Sequence, residues 1–451
     1  MWVTMMFEGM GRLSPRVALV VVATTLLVVV GRAVPARLGR AVLALGIVAA
    51  LLGTAALIEE WLSESNGPRS DFLLFREAGL AVWAGTDPYR NPRFVSPPTA
   101  LPLFALFALA PLREGTIAWC LVNSVGLLLL VPLARSALVA QRGLDGDEDR
   151  AGLDAVGAVE VGLLTAAVAL SDGVRFGLEL GQMAVLTAAC LQLALRAQGR
   201  GRPVAAGVLL GLATIKVGTM LPFLLLFQRR VDRPSWAALA ATVALLCLVP
   251  GRPAALPGEL RAVLDHIAWL SQPGRANDIT FLGPQSASIL GLDHASYRLG
   301  LRRPPGPQVA QGVALVALGG ILAAAIRRRR VARPTAVALV ALFCIIFLYH
   351  RHYDAVIFAP AMVVAAGRAR TLRGRPRWAA AGALAAMLGV LYLRAGRLKS
   401  LSDAAPAWGL AGRVVQAVVL PYGTWLTLLA IALVWASDRA VSATQPVGRA
   451  V

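Results

Sequence analysis

A few short stretches hold the side chains that could do chemistry in an otherwise apolar chain. Asp71 opens an amphipathic stretch over 71–84, and Asp87 and Tyr89 lie in the turn Gly85-Thr86-Asp87-Pro88-Tyr89. Gly181-Gln182 follows Ser171-Asp172, and Lys216 interrupts the apolar run 204–228. Arg275, Asn277 and Asp278 belong to a long stretch between apolar runs. Tyr349-His350-Arg351-His352-Tyr353-Asp354 forms a tight turn between two others. A carboxylate can take a proton from a hydroxyl. Lys216, Arg275 and Arg351 are cations of the kind that hold phosphate, and a guanidinium can grip it bidentately. His350 and His352 add further donors.

Each of these residues also has a plainer reading. Ser70-Asp71 reads as a helix N-cap, and Asp87-Pro88 reads as a turn. Lys216 could snorkel to an interface, Gln182 could satisfy a helix end, and Arg275 could be a solvated loop charge. Two histidines at i and i+2 could bind metal, but no third ligand lies near them in sequence. The run Asp145-Gly146-Asp147-Glu148-Asp149 reads as a solvated linker, because it lacks the downstream Glu of a calcium hand.

The elements that must position these groups follow from composition. Of 451 residues, 57% are hydrophobic and 15% are charged, against about 25% charged in soluble domains. Continuous apolar runs recur from 17 to 437. The fold class is an all-α polytopic membrane protein, since helices satisfy their own backbone in lipid. Continuous rather than alternating runs exclude a β-barrel. The formal net charge of +20 falls mostly in short Arg-rich loops such as Arg327 to Arg330. That is a topology signal, so no nucleic-acid partner is expected. Four scattered cysteines give neither a disulfide framework nor a metal site. There is no CxxC, HExxH, Walker loop or dinucleotide fingerprint.

The spans read as 17–31, 41–58, 115–134, 157–171, 183–195, 204–215, 217–228, 236–250, 309–326, 335–349, 354–367, 378–393 and 421–437. The basic loops 32–40, 135–155, 196–203, 229–235, 327–334 and 368–377 are expected in the cytoplasm. The opposite side then receives 59–114, 172–182, 251–308, 349–354, 394–420 and the N-terminus. The chain reads as one integral membrane domain over 1–451. Helices at 17–58 precede a first outer loop at 59–114 that carries interfacial helices. Helices at 115–250 include a hairpin around Lys216. A second outer loop at 251–308, helices at 309–437 and a cytoplasmic tail at 438–451 complete it. The run 99–112 is apolar but short and is expected at the outer interface. A single helix over 204–228 would put Lys216 mid-bilayer at about 3 kcal/mol or more. It would also put Arg200, Arg202 and Arg229, Arg230 on opposite sides, so a hairpin with Lys216 at its tip is expected. The polar groups then gather at one membrane depth, a functional-site signal.

Four segments resemble one family. SDFLLFREAGLAVWAGTDPY with Pro97-Pro98 is similar to the first outer loop of glycosyltransferase family 87 proteins, polyprenyl-phosphate-mannose-dependent mannosyltransferase-like membrane proteins. GQMAVLTAACLQLALRAQGRGRPVAAGVLLGLATIKVGTMLPFLLLFQRR looks like that family's GQ segment and its hairpin with Lys and Pro. The turn YHRHYD is similar to its His-containing segment. The resemblance covers roughly residues 41–370.

The resemblance implies a GT-C-like bundle of about 12–13 transmembrane helices with long extracytoplasmic loops. It implies a sugar on a polyprenyl phosphate as donor, inverting transfer, a lipid or glycan acceptor and membrane lipids as partners. It implies a multi-pass protein of the cytoplasmic membrane with its active site on the extracytoplasmic side, and no cofactor or metal. A hexose is expected, with mannose foremost. Asp71 is then the general base. The leaving phosphate needs cations rather than a strong acid. Asp87, Tyr89, Gln182, Lys216, Arg275, His350, Arg351 and His352 are the candidate substrate contacts. A transferase of arabinofuranose from decaprenyl phosphate keeps the fold and changes the donor. A lipid-linked sugar transporter or flippase is the reading from another class. The sequence shows one interrupted hairpin and no matching one in the other half, which counts against transport.

Overall fold

The computed structural model describes residues 70–142, 150–248, 253–279, 289–301, 305–347, 350–393 and 409–443, with isolated positions between 41 and 59. The first two expected spans, the acidic run at 145–149, Tyr349 and the end of the tail lie outside the described residues.

The chain is all-α. Helix α1 (Ser70–Trp83) packs against α2 (Leu101–Ala108), with Gly79 directly on the Phe104 carbonyl. At 1.5 Å per residue α2 is only about 12 Å long and does not cross. It lies on the first turns of α3 (Leu112–Arg142), with Phe107 edge-on to Trp119 at 4.9 Å. A short α4 (Arg150–Asp154) precedes α5 (Ala158–Ala169), which breaks by 55° into α6 (Asp172–Leu180). Then come α7 (Ala184–Gly199), α8 (Pro203–Ala213), a 3₁₀ turn Thr214–Lys216, the short α9 (Val217–Met220) and a 3₁₀ stretch Leu221–Leu226. Next are α10 (Arg233–Leu248) and α11 (Leu256–Leu270).

Strand β1 (Ile289–Leu290) and α12 (Leu292–Arg298) lead to α13 (Gly306–Arg327) and α14 (Arg333–Phe347). Strand β2 (His350–Arg351) pairs antiparallel with β1. A 3₁₀ stretch His352–Phe358 follows, then α15 (Ala359–Thr371), α16 (Gly374–Tyr392), α17 (Gly409–Val419) and α18 (Tyr422–Ala443).

Among the described residues four helical segments are long and apolar enough to cross a membrane by length and composition, or up to six if each bent pair counts as one; one of the four, Pro203–Leu226, folds back at Lys216. Several other helices of the bundle are shorter and enclosed by neighbours. In α14 every residue from Arg333 to Ile346 is buried. Outer helices such as α13 turn Val309, Val313, Val316 and Ile321 outward. Such exposed aliphatic faces suit lipid. The protein is a multi-pass membrane protein.

The chain reverses at Lys216. Arg202 N–H donates to the Ala197 carbonyl at 2.9 Å, closing the turn between α7 and α8. Gln198, in that same last turn of α7, donates to the Leu226 carbonyl at 3.0 Å and to Asp232 at 2.8 Å. Both ends of 203–226 therefore meet one end of α7, whereas a straight helix of this length would separate them by about 36 Å. Lys216 leaves helical geometry at φ −133°, ψ 79°.

A buried polar network fastens this arginine-rich end. Arg333 Nε donates to Gln141 Oε1 at 2.7 Å, and Arg333 Nη2 to Gln198 Oε1 at 3.1 Å. Gln141 Nε2 donates to Gln198 Oε1 at 2.9 Å. Helices α3, α7 and α14 are thereby tied together where the chain re-enters the bundle.

Candidate active site

At the opposite end one short helix brings the polar groups together. Ser171 caps α6, its Oγ accepting from Val174 N–H at 3.3 Å. Gly181, at φ +77°, ends the helix in the left-handed conformation that glycine tolerates. Gln182 N–H returns to the Gly177 carbonyl at 2.9 Å. Between these caps, glycines recur at every fourth residue. A Cβ at Gly173 would sit 2.9 Å from the His352 carbonyl oxygen, and one at Gly177 would sit 2.6 Å from Tyr353 Cβ. A Cβ at Gly181 would sit 2.6 Å from Phe72 Cβ. One helical turn, about 6 Å, thus separates the seat of the 350–354 turn from the seat of α1.

That spacing sets Asp71 on Gln182. The Gln182 amide donates to Asp71 Oδ2. Trp119 Nε1 donates to the Gly181 carbonyl at 3.0 Å, and its ring meets Phe72 and Phe75. The carboxylate is partly exposed, on the first turn of a helix whose next residue, Phe72, is buried. It is therefore both anchored and reachable.

A second carboxylate organises the cations. Lys216 Nζ pairs with Asp354 Oδ1. His350 Nδ1 lies 3.0 Å from Asp354 Oδ2. Arg351 N–H donates to that same oxygen at 3.2 Å. Since the carboxylate accepts, Nδ1 of His350 carries the proton. Nε2 of His350 meets no hydrogen-bond partner among the described residues. The Lys216 ammonium also faces the Tyr353 ring, 4.9 Å from its centre. The reversal that presents Lys216 is tethered from the first loop. Thr99, next to Pro98, donates its hydroxyl to the Thr214 carbonyl at 3.0 Å.

His352 turns the other way. Tyr422 donates its hydroxyl to the Leu393 carbonyl, so the 3.0 Å contact with His352 Nε2 is a donation from the imidazole. Burial, and then the Arg351 charge, push the His352 pKa down to about 4, so the ring is neutral at physiological pH. Two described parts of the second loop, Ala276 and Ile289–Leu290, meet this turn. Arg351 Nη2 donates to the Ala276 carbonyl at 2.8 Å, and Ile289 and Leu290 pair with Arg351 and His350. His266 of α11 reaches the first loop, Nδ1 donating to the Phe94 carbonyl at 2.8 Å.

This end of the bundle thus holds one reachable carboxylate beside a group of a lysine, a histidine and their shared aspartate. Residues 94–350 match the model of Glycosyltransferase family 87. The chain belongs to glycosyltransferase family 87. It is a membrane glycosyltransferase. No curated protein matches it. The matched region holds Gln182, Lys216, Arg275 and His350, and Asp71 precedes it.

Other candidates have a different place in this family 87 protein. Asp87 is exposed and accepts from Tyr89 N–H at 2.9 Å, which closes its own turn. Tyr89 is buried, donates to the Ser96 carbonyl at 2.9 Å and packs against Phe94 and His266. Burial, and then the Glu259 charge, push its phenol well above the usual range. Both residues shape the first loop. Arg275 is exposed and stacks on Trp269 at 4.1 Å. Its loop reaches Arg351 through Ala276.

Sequence reasoning missed three members of the site. Asp354 was visible only as the end of a histidine-rich turn. Thr99 stood in the shadow of the diproline, and Tyr422 lies far along the chain. One signal was available and unused: Gly173, Gly177 and Gly181 repeat at a four-residue interval, the small-residue pattern that lets backbones approach.

Proposed function

We propose that this protein moves a hexose, mannose foremost, from a polyprenyl-phosphate donor to a lipid or glycan acceptor on the extracytoplasmic face, with inversion. The observation that carries this reading is that α6 joins Asp71 to the Lys216–Asp354–His350 group at one end of the bundle. That end lies opposite the arginine-rich loops, which the positive-inside rule assigns to the cytoplasm.

In this reading an acceptor hydroxyl oxygen attacks the anomeric carbon of the donor. Asp71 takes the hydroxyl proton. The bond from the anomeric carbon to the phosphate oxygen breaks, and its electron pair leaves on polyprenyl phosphate. The Gln182 amide holds the Asp71 carboxyl in place through Oδ2. Lys216, with N–H groups beyond the one given to Asp354, meets the negative charge that grows on the phosphate. His350, oriented through Nδ1 by Asp354, offers Nε2 to a sugar or phosphate oxygen. No cofactor or metal enters the scheme.

The test is Asp71→Asn in membranes supplied with labelled polyprenyl-phosphate mannose, with a labelled arabinose carrier in parallel. Transfer is expected to fall by about 100-fold or more while donor binding and folding persist. Transfer at the parental rate would remove Asp71 from the chemistry. Transfer from the arabinose carrier alone would change the donor.

A further inference from the structure

Helix α11 presents three different surfaces. At 100° per residue, Glu259, Ala262, His266 and Leu270 fall on one arc, which is buried or half-buried against the first-loop cluster of Tyr89 and Phe94. Leu260, Leu264 and Ile267 fall on a second arc and are 50%, 67% and 43% exposed. Arg261 and Asp265 fall on a third, where both are exposed and pair with each other at 3.8 Å. The three arcs are centred about 120° apart. A helix covered by protein on one side and water on the rest needs no second apolar arc. A helix of 15 residues reaches about 22 Å, too short to cross a bilayer of about 30 Å.

We propose that α11 lies along the membrane surface at the candidate-site end, with Leu260, Leu264 and Ile267 among the acyl chains of that leaflet and Arg261 and Asp265 in water. The split of the exposed surface into an aliphatic arc and a charged arc, in a chain with other lipid-facing helices, names lipid as the occupant. Helix α10 belongs to a segment long and apolar enough to cross the membrane, and it turns Leu245 and Leu248 outward near its end. Helix α11 is the next helix along the chain, and its own exposed apolar arc is of the same aliphatic kind. The division into apolar and charged arcs is that of an interfacial helix. The same helix holds the Phe94 carbonyl through His266, so its seat in lipid fixes the height of the first loop above the bilayer. The inference stands apart from sugar transfer, since it rests on burial and on the membrane alone.

The test places bimane on Leu264→Cys and, separately, on Asp265→Cys in the full chain reconstituted in nanodiscs. Background from the native cysteines is measured on the unsubstituted protein. Leu264 is exposed, so its replacement leaves the packed arc intact. Leu260→Cys serves as a second reporter if the first labels poorly. Lipids brominated on their acyl chains are expected to quench the probe at 264 several-fold more than the probe at 265, and aqueous iodide is expected to do the reverse. Iodide quenching at 264 equal to that at 265, with no preference for brominated lipid, would overturn the proposal. Shielding of 264 from both quenchers would also overturn it, in favour of a protein cover such as a second copy.

Discussion

Lys216 and Asp354, 138 positions apart in sequence, meet as an ion pair where a reversal in one helical segment touches the turn between two others. Asp354 is buried and Lys216 half-buried. Asp354 also takes His350 and the Arg351 backbone. One carboxylate therefore sets the position of two groups that could face a phosphate.

Breaking that pair from either side should cost more than removing it whole. Lys216→Met leaves a buried carboxylate with one cation fewer, and Asp354→Leu leaves an ammonium without its partner. Each single variant is expected to lose about 3 kcal/mol. The double variant should recover part of it, because neither charge is then stranded. Unfolding midpoints in detergent give the comparison. Additive losses would mean that the two residues are not coupled.

Acid should weaken the fold through His352. Its folded pKa of about 4 lies below the ordinary value of about 6.5, so the unfolded chain binds the proton more readily. The stabilisation is whole above about pH 6.5 and is lost as pH falls toward about 4, to a total of about 3 kcal/mol. His294, buried and lowered to about 3, acts in the same direction. His352→Gln should flatten the fall between pH 7 and pH 4.5 without abolishing it. An unchanged slope would take His352 out of the account.

The α6 glycines offer a test that touches no polar group. Gly177→Ala meets Tyr353 Cβ, and Gly181→Ala meets Phe72 Cβ in a left-handed conformation. Each should destabilise by about 1–3 kcal/mol and lower transfer further than that loss explains. Gly312→Ala, with nothing within 4 Å of the new Cβ, is the control and should leave transfer intact. Equal behaviour of all three would mean that the spacing set by α6 is irrelevant.

The reversal at Lys216 has a topological consequence. Cysteines replacing Arg200 and Arg230, both exposed, should react with a membrane-impermeant maleimide from the same face of sealed vesicles. Labelling from opposite faces would require one straight crossing helix and would dismantle the site.

Much of this was legible in the sequence for simple reasons. Apolar runs and arginine clusters report solvent and side, so the all-α bundle and its arginine-rich end could be read directly. A lone lysine in an apolar run is costly in a straight span, so the chain was expected to turn there. The Asp71–Gln182 contact could not be read, because it depends on how closely Gly181 lets α1 approach. Asp354 was hidden for a related reason. It reads as an ordinary turn residue until Lys216 arrives from another helix. Asp87 and Tyr89 show why composition alone is ambiguous, since a polar side chain that closes its own turn looks the same in sequence as one that meets a ligand. The second loop carried little signal of its own, because its contacts with Arg351 run through backbone, the Ala276 carbonyl and the short β1–β2 pairing.

The knot around Arg333 determines how such a molecule could breathe. With α3, α7 and α14 stitched at one extremity, widening would be easier at the other, as in a purse with a sewn base. If the donor is the proposed lipid carrier, it would enter and leave by that mouth.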